Sequence, residues 1–497
     1  MNGEDKTRIT FITLISIIAM VFGVANGNYV IPIMYIITLV ISSYIVQEKD
    51  IYNQMYAVFL VSAFYDYTLY APGIESVYMF HLVLGVFTLM SLYKLIKDRD
   101  VIRHIDKKIL SIYFIWFVYM CISILWAANK NLSIKYIAIY LMMFAFIFNM
   151  MVYNTNKDRL KRTVNLLLFL VSLITLIGFV EVLLGKQLPI KHYADHVMDQ
   201  LKQKDQNQIN ARPIAFSFNP NNLAATLSIL SPLFFYAIYR CKSFIGKMYY
   251  VVLSIIVFLL ICTTSSRTGF VAVMFGVAVY LIYSIFNIKK IGFKNFIFPI
   301  LLCITLAMSY KYSQLIMNIK PVEGQKIVEN SLENKIHNLE NIDEIQQGSE
   351  GSENVRVTII KDVLNGTIKN KNYLGYGVGN VEQFIKEQEN TGPIISPHCY
   401  AIEILGDFGL PGIALYGVYY LYLLIGNIII GIKKKSMACF AAVTGLIAFA
   451  PASFGPSSIT YVFSYWILIG FAVSCMQVYK KSDNGYTHIS GMKEFHL

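Results

Sequence analysis

One stretch of the chain, residues 248–286, reads MYYVVLSIIVFLLICTTSSRTGFVAVMFGVAVYLIYSIF. It contains two apolar runs, 248–264 and 268–286, and each is long enough to cross the ~30 Å hydrocarbon core of a bilayer as a helix. A short polar turn with a single arginine, Arg267, separates them. The pattern predicts two membrane-spanning helices joined at one membrane surface.

Similar apolar runs recur along the whole chain. Of its 497 residues, 56% are hydrophobic and only 14% are charged, which leaves too little polar surface for a soluble protein of this length. We therefore expect an all-α polytopic integral membrane protein with about 12–14 transmembrane helices. The predicted spans are 9–25, 29–46, 53–70, 77–96, 109–127, 134–153, 163–184, 221–239, 248–264, 268–286, 295–313, 400–431, 437–453 and 459–479. The 400–431 run is expected to break at Gly409 to Gly412 into a half-helix and a full span.

Lysine and arginine in the connections set the orientation, because loops rich in these residues resist translocation. The basic connections, assigned to the cytoplasm, are 94–108, 157–162, 240–247, 289–294 and 433–435. Both termini then lie inside, and two long segments, 185–220 and 314–398, lie outside. The first apolar run lacks a small-residue cleavage site, so we expect a retained helix rather than a signal peptide. The net charge of +12 follows mostly from this bias and indicates no nucleic-acid partner.

These boundaries give five expected regions. They are an N-terminal transmembrane bundle (1–184), an outer loop with central transmembrane helices (185–313), a large extracytoplasmic loop with short helices (314–398), C-terminal transmembrane helices (399–480) and a cytoplasmic tail (481–497). The seven cysteines include no C-x-x-C pair, so neither a disulfide framework nor a structural zinc is expected.

The arginines have an uneven distribution. The chain has nine, against 33 lysines, and only Arg212, Arg267 and Arg356 fall on the predicted outer side. Because guanidinium binds phosphate in bidentate fashion, these three indicate a phosphate-bearing ligand outside the cytoplasm. For Arg267 alone, an equally weighted alternative is a topology anchor that reaches the lipid headgroups.

Two helix starts are expected on the outer side. Asn219 and Pro220 are favourable residues at the start of span 221–239, and Ser266 precedes span 268–286. Free backbone amides at a helix N-terminus next to an arginine favour phosphate. By contrast, the Gly375-Tyr376-Gly377-Val378-Gly379 segment follows no strand, so we interpret it as a tight turn in which the backbone passes close to another group, not as a nucleotide-binding loop.

The large outer loop contains further patterns. A first helix is expected from apolar residues at helical spacing, namely Leu332, Ile336, Leu339, Ile342 and Ile345. Residues 346–353 have the composition of a flexible linker. A second short helix, beginning at Arg356, is expected to lie across the mouth of the bundle on an apolar face. That face consists of Val355, Ile359, Val363 and Leu364.

Four motifs occur in order within residues 205–430. They are Arg212 before Phe218-Asn219-Pro220-Asn221-Asn222, then Ser266-Arg267-Thr268-Gly269, then Arg356 before Gly375-x-Gly377-x-Gly379, and last His398 followed by Asp407 and Gly409-Leu410-Pro411-Gly412. Together they resemble the signature of the O-antigen ligase and polymerase superfamily of bacterial polysaccharide assembly. One departure concerns the residue after the histidine, which is commonly asparagine in the family and is Cys399 here.

The resemblance implies a GT-C-like fold and a glycosyl transfer on the outer face of the plasma membrane. The donor would be an undecaprenyl-diphosphate-linked glycan, and the acceptor a glycan hydroxyl. His398 would be the general base, and Arg212, Arg267 and Arg356 would bind the diphosphate. Residues expected to support them are Asn219, Asn221, Ser266, Glu403 and Asp407. No cofactor is expected, and no metal, because the one D-x-D pair, Asp98 and Asp100, is cytoplasmic.

Several alternatives remain open at this stage. Glu403 and Asp407 either orient the base, hold an arginine or bind sugar hydroxyls, or they form a salt bridge that closes the broken helix. Asp66 and Glu181 are expected to be paired. The favoured activity is a polymerase that makes capsule, exopolysaccharide or a teichuronic-acid-like polymer, with a flippase and a chain-length regulator as candidate partners. A ligase is second, and a lipid-linked oligosaccharide flippase is third, since we find no repeated halves.

Overall fold

The computed structural model describes residues 3–46, 50–195, 198–200, 202–317, 332 and 352–481, and these are almost entirely helical. The helices are α1 (Gly3–Ala25), α2 (Val30–Val46), α3 (Ile51–Tyr65), α4 (Met79–Lys97), α5 (Arg99–His104), α6 (Lys107–Ser123), α7 (Lys130–Tyr153), α8 (Lys157–Leu184), α9 (Gln203–Asn210), α10 (Pro220–Leu230), α11 (Pro232–Arg240), α12 (Phe244–Thr263), α13 (Arg267–Phe286), α14 (Ile288–Ile291), α15 (Ile297–Met317), α16 (Ser352–Leu364), α17 (Val381–Glu387), α18 (Tyr400–Lys434), α19 (Met437–Ala452) and α20 (Phe463–Lys481).

The expected class, an all-α multi-pass membrane protein, is confirmed. In the described part of the chain, eight helices are long and apolar enough to cross a membrane, and each predicted span coincides with a helix, except that 221–239 is divided into α10 and α11. The total number of spans stays a prediction. The span predicted at 53–70 is too long, because helix α3 ends at Tyr65 and a 3-10 turn at Asp66–Thr68 follows it. A small antiparallel hairpin of β1 (Tyr70–Ala71) and β2 (Ile74–Tyr78) then precedes α4.

The helices of the second half pack closely around α13. This helix lies against α10 and α19, while α20 packs against α7 and α18. At the start of α13, a Cβ on Gly269 would lie 2.7 Å from the Cβ of Ala224, closer than real side chains approach. A glycine is therefore needed where the N-terminal turns of α10 and α13 cross.

Helix α18 is broken where the sequence predicted. Gly409 has φ 62° and ψ −153° inside the helix, and a Cβ there would collide with the carbonyl oxygen of Tyr373. Gly375, with φ 76°, lies against the same break, and Gly377 donates its amide to the Asp407 carbonyl at 2.9 Å. The glycine-rich segment is thus a tight turn whose backbone runs along the backbone of α18, as predicted.

The second short helix of the outer loop, α16, starts at Ser352 rather than at Arg356, so the predicted start was four residues too late. Ile359 and Val363 are buried and pack with Val381 and Ile385 of α17 into a small apolar cluster over α18. Leu364, which was assigned to the same face, is 36% exposed. The predicted helix at 336–345 and most of the linker at 346–353 lie outside the described residues.

Candidate active site

Two helix N-termini form the floor of the site. Helix α10 begins at Pro220, and the side chain of its N-cap residue Asn219 accepts a hydrogen bond from the Asn222 amide at 2.8 Å. Helix α13 begins at Arg267, and the hydroxyl of Ser266 accepts from the Gly269 amide at 3.4 Å. Both helix starts predicted from the sequence are confirmed.

A loop between α19 and α20 brings these two starts together. A Cβ on Gly455 would lie 2.8 Å from Oγ1 of Thr268 and 3.8 Å from Cβ of Asn221. The first turns of α10 and α13 therefore meet at one point of the protein. Because both helices present free amides and the positive end of their dipole there, the local field favours an anion.

Arg356 of α16 lies close to this point. Burial, and then the nearby positive charge of Arg267, lower the pKa of the Arg356 guanidinium. Among the described residues, no carboxylate forms an ion pair with Arg356. An anion bound next to Arg356 would offset the positive charge that acts on this guanidinium.

His398 lies beside Arg356, on the turn before α18. Its backbone has φ 50°, a conformation that non-glycine residues rarely adopt, and its amide donates to the Ser457 carbonyl at 3.2 Å. The ring nitrogen Nε2 lies 3.4 Å from the hydroxyl of Ser396. The other nitrogen, Nδ1, is buried and makes no hydrogen bond of normal geometry with the described residues.

The imidazole of His398 is held in its neutral form. Burial and, second, the positive charge of Arg356 lower the pKa of His398 to about 4, against an opposing contribution from the carbonyls of Gly455 and Pro456. At neutral pH the ring therefore carries one proton and has one nitrogen free to accept another. An anion that neutralised Arg356 would raise this pKa and so strengthen the base.

Arg212 lies in the loop between α9 and α10. Its carbonyl accepts from Nε2 of Gln187 at 2.7 Å, and its charge acts on the phenol of Tyr193, whose pKa is raised by burial and lowered in part by Arg212. No described contact joins the Arg212 side chain to Arg267 or Arg356. The structure thus brings together two of the three predicted diphosphate ligands with His398.

The loop after Arg212 is anchored by Glu181. The Glu181 carboxylate accepts three backbone amides, from Leu188 at 2.7 Å, Ile214 at 2.8 Å and Ala215 at 2.7 Å. The expected pairing of Glu181 with a cation is therefore replaced by capping of the backbone. In the described part of the chain, Asp66 forms no ion pair either.

The two acids of α18 differ from each other. Both carboxylate oxygens of Asp407 accept backbone amides, Oδ1 from Val381 at 2.9 Å and Oδ2 from Gly379 at 2.8 Å, so Asp407 fixes the glycine-rich turn and the start of α17. Oε1 of Glu403 accepts from the hydroxyls of Ser458 at 2.6 Å and Thr460 at 2.8 Å. Its Oε2 is buried without a hydrogen-bond partner among the described residues.

The sequence did not indicate that the loop between α19 and α20 contributes to the site. Gly455 and Pro456 place carbonyls near the His398 ring, Ser457 accepts the His398 amide, and Ser458 and Thr460 donate to Glu403. The loop contains no charged residue and resembles an ordinary connection between two spans. Its one signal is the cluster of Ser, Gly and Pro in 453–458, which predicts a turn but not its neighbours.

The fold is that of a multi-pass membrane protein, and the comparisons support the resemblance to the O-antigen ligase and polymerase superfamily. Residues 251–417 match the family model described as O-antigen ligase, and this range contains Arg267, Arg356 and His398. One curated relative is the teichuronic acid biosynthesis protein TuaE of Bacillus subtilis (strain 168). It is 22% identical over 446 residues, which are 87% of this chain and 84% of the relative. The similarity extends well beyond residues 251–417.

Proposed function

We propose that this protein polymerises undecaprenyl-diphosphate-linked oligosaccharide units on the outer face of the plasma membrane to make a cell-surface polysaccharide. The observation that carries the proposal is the convergence of Arg267, Arg356 and the neutral His398 at two helix N-termini. Positive groups arranged this way would hold a diphosphate. An unprotonated imidazole beside them would accept the proton of an attacking hydroxyl.

The reaction is a single displacement at the anomeric carbon of the donor. The acceptor hydroxyl oxygen forms the new glycosidic bond while the bond from the anomeric carbon to the diphosphate oxygen breaks. The proton of the hydroxyl passes to His398, and the electron pair of the broken bond leaves with the undecaprenyl diphosphate. Arg267 and Arg356 stabilise the negative charge that develops on this leaving group, so the reaction needs no metal ion.

Donor binding would also prepare the base. Arg356 is the second cause of the low pKa of His398, and a bound diphosphate neutralises that charge. The pKa of His398 then rises toward the working pH, where a general base is most effective. The base thus gains strength only when the donor is in place.

Purified protein with lipid-diphosphate-linked donor alone is the first test. A polymerase elongates donor units on one another, so the products form a ladder of increasing length with release of undecaprenyl diphosphate. The second candidate, a ligase, yields product only after a different acceptor is added. A parallel reaction with EDTA tests metal independence: loss of transfer that a divalent ion restores would contradict it. Movement of the lipid-linked unit across vesicles without any transfer would favour the third candidate, a flippase.

The outer location has its own test. In a cysteine-free background, single cysteines introduced at 190–195 should react with a membrane-impermeant thiol reagent in intact cells, and cysteines at 97–107 should not. Labelling of the 97–107 positions would reverse the orientation and place the site in the cytoplasm.

A further inference from the structure

We call Arg267, Arg356 and His398 the arginine–histidine cluster. A cavity lies beside this cluster, on the other side of the first turn of α10. It is formed where the end of α3 meets the segment before α10 and the start of α20. Its lining includes the polar residues Asp66, Ser217 and Asn222 and the aromatic residues Phe218 and Tyr461. The Asn222 amide is also the donor to the Asn219 cap, so the cavity and the cluster share one wall.

The polar groups of this cavity have unused acceptor capacity. Oδ1 of Asn222 is buried and has no hydrogen-bond partner among the described residues. The carboxylate of Asp66 accepts from the backbone amide of Tyr67 and forms no ion pair in the described part of the chain. Asp66 also has φ 41°, and such strained backbone is concentrated at ligand sites. Acceptors of this kind require hydroxyl or N–H donors from a ligand.

Two aromatic rings stand at the same cavity with part of their surface open. Phe218 is 40% exposed and Tyr461 is 41% exposed. The Phe218 ring is supported by an edge-on contact with Tyr67 at 5.8 Å between centroids. An apolar ring face beside hydrogen-bond acceptors suits a ligand that is apolar on one side and hydroxylated on its edge.

Charge excludes the diphosphate from this cavity. None of the described residues that line it is a lysine, an arginine or a histidine, so no positive charge of the lining would neutralise a diphosphate. A bare lipid chain is also a poor occupant, because it would leave Asp66 and Asn222 without donors. The neutral, polyhydroxylated part of a lipid-linked glycan has no negative charge and supplies hydroxyl donors to Asp66 and Asn222.

On the basis of the proposed function, we propose that this cavity is a sugar-binding subsite of the enzyme, in which Asp66 and Asn222 accept hydroxyl hydrogen bonds and Phe218 and Tyr461 contact the apolar face of the ring. The arginines then hold the diphosphate and the cavity holds an adjoining sugar. The Gly455–Pro456 loop contacts both the α10 start and the His398 ring, so the base lies near the helix start that borders the cavity.

The test measures sugar binding separately from transfer. The probe is the free oligosaccharide released by mild acid from the lipid-linked intermediates of cells that make the protein, which lacks lipid and diphosphate. Equilibrium dialysis against detergent-purified Asp66→Asn should give binding about tenfold weaker than wild type, because one acceptor oxygen is replaced by an NH2 donor. Asp199→Asn, the same change at an exposed outer-loop position, should bind like wild type. Phe218→Ala, at a partly exposed position, should also bind more weakly and covers the case in which Asp66→Asn does not fold.

Kinetics assign the sugar to the donor or the acceptor. In the transfer assay, a raised KM for the donor in Asp66→Asn assigns the subsite to the donor glycan, and a raised KM for the acceptor assigns it to the acceptor. If Asp66→Asn and Phe218→Ala bind the oligosaccharide as wild type does and keep both KM values, the subsite is overturned while the proposed function stands. If wild type shows no transfer but Asp66→Asn still weakens oligosaccharide binding, the proposed function fails and the subsite stands.

Discussion

Two sets of buried polar groups differ in where their partners come from. One set is the acids Glu181 and Asp407, and the other is the arginine–histidine cluster. Glu181 and Asp407 accept hydrogen bonds from backbone amides through both carboxylate oxygens. In the arginine–histidine cluster, Arg356 faces another positive charge, and Nδ1 of His398 makes no normal hydrogen bond with the described residues. The acids have their ligands inside the protein, whereas the cluster has room for an external one.

This difference distinguishes buried groups that stabilise the fold from buried groups that are available to a ligand. A buried charge with a full set of partners holds the chain in place, and its removal leaves amides without acceptors. A buried charge that faces a like charge raises the free energy of the empty protein, which a ligand of opposite charge can lower. Changes in the first group should therefore affect stability, and changes in the second should affect turnover.

The largest effect is expected at Asp407. Asp407→Ala removes the acceptor of two buried amides, and each buried donor left without a partner costs about 1–3 kcal/mol, so stability should fall by about 2–6 kcal/mol. Thermal unfolding of the purified protein in detergent measures this, with Asp199→Ala at an exposed position as control. An unchanged unfolding temperature for Asp407→Ala would contradict a structural role for this acid.

A smaller change, in the barrier rather than in stability, is expected at Arg267. Arg267→Lys keeps the charge but loses the two-pronged contact with a diphosphate, and the barrier should rise by about 2–4 kcal/mol while thermal stability is retained. Arg103→Lys, at a side chain that is 82% exposed, is the matched control. Normal polymer length and yield in Arg267→Lys would reduce this arginine to a lipid anchor.

The smallest effect concerns the pH profile of the wild type. A base must be unprotonated, so kcat/KM should fall only as the pH drops through the low pKa of His398, about 4 in the free protein. In the donor complex the diphosphate neutralises Arg356 and the pKa of His398 rises, so the acid limb of kcat should lie at higher pH than that of kcat/KM. Coincident limbs, or a kcat limb at lower pH, would contradict this coupling.

The sequence predicted the local features of this site well. Asn219 and Ser266 are helix caps, and cap chemistry involves residues only three positions apart. The break of α18 follows from Gly409 and Pro411, which disturb a helix wherever they occur. The arginines stand out by their uneven distribution over the two sides of the membrane, and His398 was singled out because the motif order resembles a family pattern.

Features that depend on distant partners were not predicted. Glu181 binds amides that lie 33 and 34 residues further along the chain, and no periodicity shows such a contact. The apolar run at 53–70 was read as one span, because hydropathy does not reveal that the backbone turns at Asp66.

In the proposed reaction, His398 takes the acceptor proton next to Arg356. The most direct measurement is transfer by purified His398→Gln with lipid-linked donor and acceptor, together with donor binding. His192→Gln, a histidine of the other outer segment that pairs with Asp195, is the control. The account predicts that His398→Gln binds donor as wild type does, because the arginines remain, and that its transfer rate falls by about 10²-fold or more. Transfer at a rate near that of wild type would contradict it.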